Sequence, residues 1–494
     1  MSVMDESLPT GSLLDSLLSE EIFRPQEPQS LEDTGLPSTV VEALICKQLL
    51  ACGMSSGRGL AQAVCLPFGL LEPILQNLRT RQLIVHTGSA HLNDYTYALT
   101  DGGRQRAQTE MDICGYVGAA PVPLDDYLVS VDAQSIRAES PRKEDLLRAF
   151  DGLTLDPDTV AAIGPAVNSG AGLFLYGEPG NGKTTLARRI TGCFGQHIWI
   201  PRTLYIDGQF LKLFDATYHQ ELQEEQHTLL KEQDHDPRWV KIRRPTVVVG
   251  GELTMASLEI RHDPTHNVSE APVQLKSNCG CLLIDDFGRQ RVDPDELLNR
   301  WIVPLESGHD FLTLATGKKI QVPFDQLIIF STNLDPVELA DDAFLRRIPY
   351  KIEIGDPSED EYRRLFEMAA ETFDCPYDEE TVNYLIRTHL HGRGRPLRRC
   401  HARDLLGQVR NYCAYHDLPL EMKPEYFDHV VKSYFTALRG PSQPPTAAAD
   451  ALAAQAPTGA PAADPAAATA PPAPPVAPAA EMDIDHTLAM DRGR

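Results

Sequence analysis

Long apolar segments are missing from this sequence of 494 residues, and no run approaches the roughly 18 residues that a membrane-spanning helix requires. The opening stretch, MSVMDESLPTG, also lacks the basic and apolar regions of a signal peptide. We therefore expect no membrane span and a cytoplasmic location.

Paired cysteine motifs and positive charge are scarce as well. The 10 cysteines are scattered, no CxxC pair exists, and Cys279 and Cys281 form the only close pair. This pattern disfavours a zinc site and is typical of a protein in a reducing cytoplasm. The 45 Lys and Arg residues are outnumbered by 70 Asp and Glu residues, which gives a net charge of −25. That charge excludes a general nucleic-acid coat, although a local basic patch remains compatible with DNA binding.

Three stretches have compositions that do not indicate a folded domain. Residues 1–36 are rich in Ser, Pro, Glu and Asp, and residues 441–494 begin with a long run of Ala and Pro. We expect both ends to be disordered. Residues 113–140, which include AAPVPLDDY, are predicted to be a linker.

The most specific motif is GEPGNGKT at residues 177–184, a Walker A loop between an apolar strand pattern and a helical pattern. Glycines in such a loop let backbone N–H groups turn inward and form an anion site at a helix N-terminus. Lys183 is placed to reach the β- and γ-phosphates of a nucleotide, and the Thr184 hydroxyl to bind Mg²⁺. The expected nucleotide-binding residues of the loop are Gly177, Glu178, Pro179, Gly180, Asn181, Gly182, Lys183, Thr184 and Thr185.

Two further apolar strand patterns end in polar residues. The run CLLIDD ends in Asp285 and Asp286 and is a Walker B motif. We expect Asp285 to hold Mg²⁺ through water and Asp286 to polarise the attacking water. The run LIIFSTN ends in Asn333, whose amide is expected beside the γ-phosphate.

The order of these motifs resembles the AAA+ ATPase family over roughly residues 141–440. The resemblance implies an α/β fold with a three-layer αβα P-loop core at 141–355 and a helical lid at 356–440. It also implies hydrolysis of Mg-ATP by a homo-oligomeric ring, for which a hexamer is favoured. In that family an arginine finger acts on the nucleotide of the neighbouring subunit, and the segment DAFLRRI points to Arg347, with Arg346 as the alternative.

Two positions within the resemblance stay open. For the sensor 2 arginine of the lid, HARDLL points to Arg403, whereas GRPLRR points to Arg395. Asp286 stands where most AAA+ proteins have Glu, and it is one methylene shorter. The attacking water then has to sit closer, so we expect slow hydrolysis or a rearranged neighbouring group.

A long segment at 215–278 separates the first two motifs. The sequence leading into LLIDD is similar to AAA+ proteins that carry a helix-2 insertion, such as MoxR-type chaperones and bacterial enhancer-binding proteins. In those proteins inserted loops face the pore of the ring, so the resemblance implies the same for residues 250–275.

Residues 37–112 are predicted to form three helices and a β-hairpin, and the ending YALTDGGR resembles the winged-helix family. Many winged helices bind DNA through the third helix. Here that helix offers only Arg79 and Arg81, it contains Glu72, and the six basic residues between 36 and 112 are balanced by six acidic ones. Weak attraction to phosphates favours docking to a protein over binding to DNA.

Together these features predict an AAA+ ATPase that couples Mg-ATP hydrolysis to remodelling of a protein partner, with the winged helix as adaptor. One alternative is a DNA-binding ATPase, such as a transcriptional regulator or loader. Another is a nucleotide-dependent switch with slow turnover. The sequence does not identify the client.

Overall fold

The computed structural model describes residues 23–90, 94–222, 235–339 and 342–435. The predicted disorder of residues 1–22 and 441–494 therefore lies outside the described residues. The prediction is wrong for residues 23–36. The Phe23 ring packs on Trp239 with centroids 5.4 Å apart, and the Asp236 backbone N–H donates to the Pro25 carbonyl at 3.0 Å.

The first compact unit is built around leucines at helical spacing. Three leucines of its helices, Leu44, Leu60 and Leu71, are buried in one apolar cluster. The elements are α1 (Ser38–Cys52), β1 (Met54–Ser56), α2 (Gly57–Val64), α3 (Phe68–Thr80), β2 (Ile84–Ala90), β3 (Asp94–Leu99) and α4 (Asp101–Ile113). The strands form an antiparallel sheet in the order β1-β3-β2. The three predicted helices and the predicted hairpin are therefore present.

Residues 113–140 are not an extended linker. They contain β4 (Val122–Pro123) and α5 (Leu124–Ala133), and Tyr127 and Val131 are each only 2% exposed. These two side chains are four residues apart and so share one face of α5. The prolines that suggested a linker lie directly before the helix, where proline is well tolerated.

The chain then enters the nucleotide-binding region. The first elements are α6 (Lys143–Ala149), α7 (Pro157–Ser169), β5 (Leu173–Tyr176), α8 (Lys183–Ile190), β6 (His197–Pro201), β7 (Thr203–Ile206), β8 (Gln209–Lys212) and β9 (Trp239–Arg243). The next elements are β10 (Thr246–Val249), β11 (Arg261–Asp263), β12 (Val268–Glu270), α9 (Val273–Lys276), β13 (Gly280–Ile284), α10 (Pro294–Ser307), β14 (His309–Thr313), β15 (Lys319–Pro323), β16 (Gln326–Ser331), α11 (Pro336–Leu339), α12 (Asp342–Leu345) and β17 (Tyr350–Glu353).

A parallel sheet of five strands forms the centre of this region. Its order is β10-β13-β16-β5-β17, and all neighbouring strands run in the same direction. On one face, Ile163 of α7 and Leu186 of α8 are buried against the strands. On the other face, Trp301 of α10 and Phe344 of α12 are buried. The predicted three-layer αβα arrangement is therefore present.

Four strands inserted after α8, namely β7, β8, β11 and β12, pair with the earlier strand β4 in a second sheet of the order β11-β12-β8-β7-β4. Phe210 of β8 and Val268 of β12 belong to the same apolar cluster as the leucines of the first unit. The Tyr116 ring stacks on Phe210 with centroids 5.0 Å apart. The first unit therefore shares its core with the insertion instead of being attached through a linker.

The 250–275 stretch, predicted to carry loops facing a pore, contributes β11 and β12 to this second sheet. The turn between the two strands is held by the segment after α4, because the Gly115 backbone N–H donates to the His266 carbonyl at 2.7 Å. This turn is therefore packed against the protein, which the sequence pattern did not indicate.

Four helices complete the described chain: α13 (Glu359–Phe373), α14 (Glu379–Leu385), α15 (Cys400–Tyr415) and α16 (Pro424–Tyr434). A capping box starts α13, since the Ser358 backbone N–H donates to the Glu361 carboxylate at 2.8 Å and the Ser358 hydroxyl accepts from the Glu361 N–H at 3.3 Å. Phe366, Leu405 and Phe427 are fully buried between the helices. The helices predicted for residues 356–440 are thus present between residues 359 and 434.

Within the described ranges no single helix is both long enough and apolar enough to cross a membrane. Among the residues that the structure describes, one pair of helices, α2 and α3, meets the length and composition criteria when taken together, across a bend of 116°.

Candidate nucleotide site

The loop after β5 has the backbone conformation that its glycines allow. Gly177, Gly180 and Gly182 have φ values of 129°, 85° and 84°, which residues other than glycine rarely adopt. A Cβ atom on Gly177 would also lie 2.7 Å from the Ile354 carbonyl oxygen. The loop leads directly into α8, so its N–H groups and the helix N-terminus form one site suited to an anion.

Lys183, the first residue of α8, is only 6% exposed. Its Nζ donates to the Gly177 carbonyl at 2.8 Å, the Glu178 carbonyl at 3.0 Å and Asn333 Oδ1 at 2.6 Å. Burial lowers the pKa of Lys183 below its ordinary value, while Asp286, Asp285 and Glu178 oppose the shift. A bound phosphate would add negative charge beside this ammonium group and favour its protonated form.

The two residues predicted to bind a metal lie side by side. The Thr184 hydroxyl donates to Asp285 Oδ1 at 2.9 Å. Mg²⁺ prefers hard oxygen ligands and usually takes only one or two of them from a protein. Water and phosphate oxygens then fill its other positions. A hydroxyl and a carboxylate next to a phosphate site are ligands of this kind. This pair therefore fits Mg²⁺.

Asp286 and Asn333 extend the same group of polar side chains. The Asn333 amide donates to Asp286 Oδ1 at 3.4 Å, while its Oδ1 accepts from Lys183. Asp286 has a φ of 50°, in the left-handed region that Asp tolerates better than most residues. Asn333 thus connects the lysine to the second carboxylate.

These side chains surround one cavity of about 420 Å³. Its lining includes Pro179, Gly180, Asn181, Gly182, Lys183, Thr184, Thr185, Asp285, Asp286 and Asn333. Gly177 and Glu178 are not in the lining, although the carbonyls of both bind Lys183. Of the two sensor 2 candidates, Arg403 lines the cavity, whereas Arg395 does not and instead donates to the His389 carbonyl at 3.3 Å.

The two arginine-finger candidates lie away from this cavity. The Arg347 side chain is 26% exposed, and its Nε donates to Glu306 Oε1 at 2.7 Å. Arg346 is exposed on the protein surface. Neither residue lines the nucleotide cavity of its own chain.

Several residues around the cavity had no motif to mark them in the sequence. Leu153, Thr154 and Leu155 come from the segment between α6 and α7, and Leu365 and Arg399 come from the lid. The strongest available signal in the sequence is the pair Arg398-Arg399 in GRPLRR. Short apolar segments such as Leu153–Leu155 are too common to indicate a site by themselves.

The fold and the site together define a P-loop nucleotide-binding α/β protein. A family model described as "Domain of unknown function (DUF8689)" matches residues 358–433, which correspond to the lid. No match was found among the curated proteins.

Among solved structures, similar chains include NtrX from Brucella abortus, with 13% identity over 63% of this chain and 60% of that chain and a TM-score of 0.37. NtrX from Brucella abortus in complex with ADP gives 13% identity, coverages of 59% and 58%, and a TM-score of 0.34. A point mutant of RuvB from Thermotoga maritima gives 14% identity, coverages of 65% and 86%, and a TM-score of 0.32. The match thus spans about 60% of the first NtrX chain. The strand order and the phosphate loop, and not these similarities, identify the P-loop fold.

Proposed function

We propose that this protein is a cytoplasmic AAA+ ATPase that hydrolyses Mg-ATP. The proposal is carried by one observation: five polar side chains surround one cavity. They are Lys183, Thr184, Asp285, Asp286 and Asn333. All five follow strands of the parallel sheet at its carboxyl edge, where α/β sheets bind their ligands.

Each residue has a role that its contacts support. Lys183 binds the β- and γ-phosphates, and Thr184 and Asp285 would hold Mg²⁺, which neutralises charge on those phosphates. Asp286 orients the attacking water and accepts its proton. Asn333 contacts both Lys183 and Asp286. It therefore holds the phosphate-binding side chain and the water-orienting side chain in fixed relative positions.

Binding of the fluorescent nucleotide mant-ATP to the full chain tests this proposal. We expect Lys183→Ala to abolish binding, because the loop loses its cation at the phosphates. Lys319→Ala, which changes an exposed lysine on β15, serves as the matched control and should bind like the wild type. Equal affinity of the wild type and Lys183→Ala would contradict the proposed site.

The same proposal assigns the active form to a ring of copies of this chain, with a hexamer favoured. Arg347, or Arg346 in its place, then contacts the nucleotide bound by a neighbouring subunit. The position of both arginines away from their own cavity supports an action in trans.

We further propose that the unit at 37–112 is a winged-helix-like adaptor for a protein client. The exposed side of α3 presents Glu72, Gln76 and Arg79, which is a weak surface for phosphate. The alternative is that the unit binds duplex DNA through Arg79, whose Nη1 lies 3.4 Å from His86 Nε2 on the hairpin. Slow turnover at Asp286 would make the protein a nucleotide-dependent switch.

Anisotropy of a labelled DNA duplex with the full chain distinguishes protein docking from DNA binding. A DNA-binding module with several phosphate contacts loses about three to five decades of affinity between 50 and 200 mM salt. We expect neither binding at physiological salt nor such a slope. Sequence-specific binding that is lost in Arg79→Ala would instead favour the DNA-binding alternative.

A further inference from the structure

The start of α15 is in direct contact with the phosphate loop. The Cys400 backbone N–H donates to the Gly180 carbonyl at 2.9 Å. A Cβ atom on Gly180 would lie 2.6 Å from Cys400 Sγ, so only glycine fits between the loop and the lid. The lid and the loop therefore pack here without a layer of water between them.

A charged network strengthens the same contact from two sides. Arg398 Nη2 lies 3.0 Å from Glu178 Oε2 in the phosphate loop, and Arg398 Nη1 donates to Asp356 Oδ1. Asp356 Oδ1 also accepts from Asn181 Nδ2 at 2.8 Å. Arg398 is only 16% exposed, whereas Glu178 is 65% exposed, so the arginine is fixed by its surroundings and the carboxylate end of the pair is open to solvent.

Asp356 lies in the segment that connects β17 to α13, through which the sheet continues into the lid. Arg399 binds this segment as well, since its Nη1 donates to the Gly355 carbonyl at 3.0 Å and its Nε to the Thr154 carbonyl at 3.3 Å. A rotation of the lid about this connection would therefore pull Arg398 away from Glu178.

We propose that Arg398 and Asp356 are positioning residues that latch the phosphate loop to the lid and thereby slow nucleotide release. The proposal rests on the nucleotide site described under the proposed function. Glu178 and Asn181 are the loop residues through which the latch acts. Breaking the Arg398–Glu178 pair loosens the contact between the lid and the loop, and the loop then loses support on its outer side.

A direct contact between Arg398 and a phosphate predicts the opposite behaviour. Neutralising Glu178 would then leave Arg398 freer to bind the phosphate, and nucleotide release would be unchanged or slower. In a latch, neutralising Glu178 accelerates release as removing Arg398 does, because both changes break the Arg398–Glu178 pair.

The test is the dissociation rate of mant-ADP from the full chain, measured by stopped flow with excess unlabelled ADP. We expect Glu178→Gln and Arg398→Ala each to accelerate release about fivefold, which corresponds to about 1 kcal/mol at 25 °C. The double variant should release mant-ADP no faster than the faster single variant, because a broken pair cannot be broken again.

Matched controls are Glu421→Gln and Arg363→Ala, which remove charges from lid ion pairs remote from the loop. Both should release mant-ADP at the wild-type rate.

Equal rates in the wild type, Glu178→Gln and Arg398→Ala would overturn the latch, even if their melting temperatures fall. Acceleration by Arg398→Ala without acceleration by Glu178→Gln would also overturn it. Failure of the wild type to bind mant-ADP would instead contradict the proposed nucleotide site.

Discussion

The short side chain of Asp286 limits where an attacking water can sit. Its carboxylate is held near Asn333 at 3.4 Å, and its backbone is in the left-handed region with a φ of 50°. The backbone conformation and the amide contact together fix the direction of a carboxylate that has little reach of its own. The proposed chemistry thus depends on the neighbouring amide as well as on the acid.

Replacing Asp286 with Asn tests its role as the base. General-base catalysis contributes about 100-fold or more, so we expect Asp286→Asn to lose at least this factor in phosphate release. Binding of mant-ATP should persist, because Lys183 and Thr184 are unchanged. Asp295→Asn, an exposed carboxylate in the first turn of α10, is the control and should keep wild-type turnover. Equal ATPase rates in the wild type and Asp286→Asn would rule out the assigned role.

The sequence predicted the chemistry of individual residues better than it predicted their surroundings. Lys183, Asp285 and Asn333 each follow a buried strand, and parallel strands bring such residues to one edge. Arg399 and Leu153 line the cavity from the lid and from the segment before the sheet. Their positions depend on tertiary packing, and no periodic pattern in the sequence predicts them.

At the scale of elements, the shared core between the first unit and the insertion was not predictable. Phe210 and Val268 lie about 100 and about 155 residues beyond the end of the first unit and resemble ordinary strand residues. Their burial against the first unit means that removing residues 37–112 would expose apolar surface. Variants of single residues in the full chain are therefore better tests than truncations.

Phe210→Ala should destabilise the first unit and the insertion together. Phe210 is 7% exposed, it stacks on Tyr116, and Lys47 lies over its ring at 5.4 Å. Truncation of a buried Phe to Ala costs about 3 kcal/mol or more. Chemical denaturation followed by tryptophan fluorescence measures this loss. Phe311→Ala, the same change at a side chain that is 47% exposed, should cost much less. Similar losses in both variants would argue against a shared core.

The lid contains a buried histidine that makes its stability depend on pH. Burial, and next the nearby Arg398 guanidinium, lower the pKa of His401 from 6.5 to about 4. Its Nδ1 accepts from the Arg398 backbone N–H at 3.3 Å, an interaction of the neutral ring. Between these pKa values the unfolded chain binds a proton that the folded chain does not. Stability is therefore lost as the pH falls from about 6.5 towards about 4.

Replacing His401 with Gln should reduce this dependence. Over the whole interval the wild type should lose up to about 3 kcal/mol more than His401→Gln, since one pKa unit corresponds to about 1.4 kcal/mol. Melting temperatures of the full chain between pH 7 and pH 4.5 provide the measurement. His429→Gln, an exposed position on α16, should retain the wild-type pH dependence. The same pH dependence in the wild type and His401→Gln would contradict a buried neutral histidine.

At the scale of the whole molecule, the candidate site has parts at two separate places. The cavity holds the loop, the two carboxylates and Asn333, whereas Arg346 and Arg347 lie outside its lining. If one of these arginines completes the site, the neighbouring copy must supply it. ATPase activity per chain should then rise with protein concentration.

Mixing inactive variants tests this assembly directly. Arg347→Ala keeps the phosphate loop, and Lys183→Ala keeps the finger, so a mixed ring contains interfaces that have both parts. In an equal mixture about a quarter of all interfaces are complete, because the ring places each loop beside one neighbour. We expect up to that share of wild-type phosphate release, and more than the sum of the two variants alone.

Replacing the second variant by a chain that carries both substitutions is the control, since it supplies neither part. Activity in that control equal to the mixture, or turnover by a monomer that does not change with concentration, would exclude action in trans. The mixture of Arg346→Ala with Lys183→Ala then identifies which of the two arginines acts.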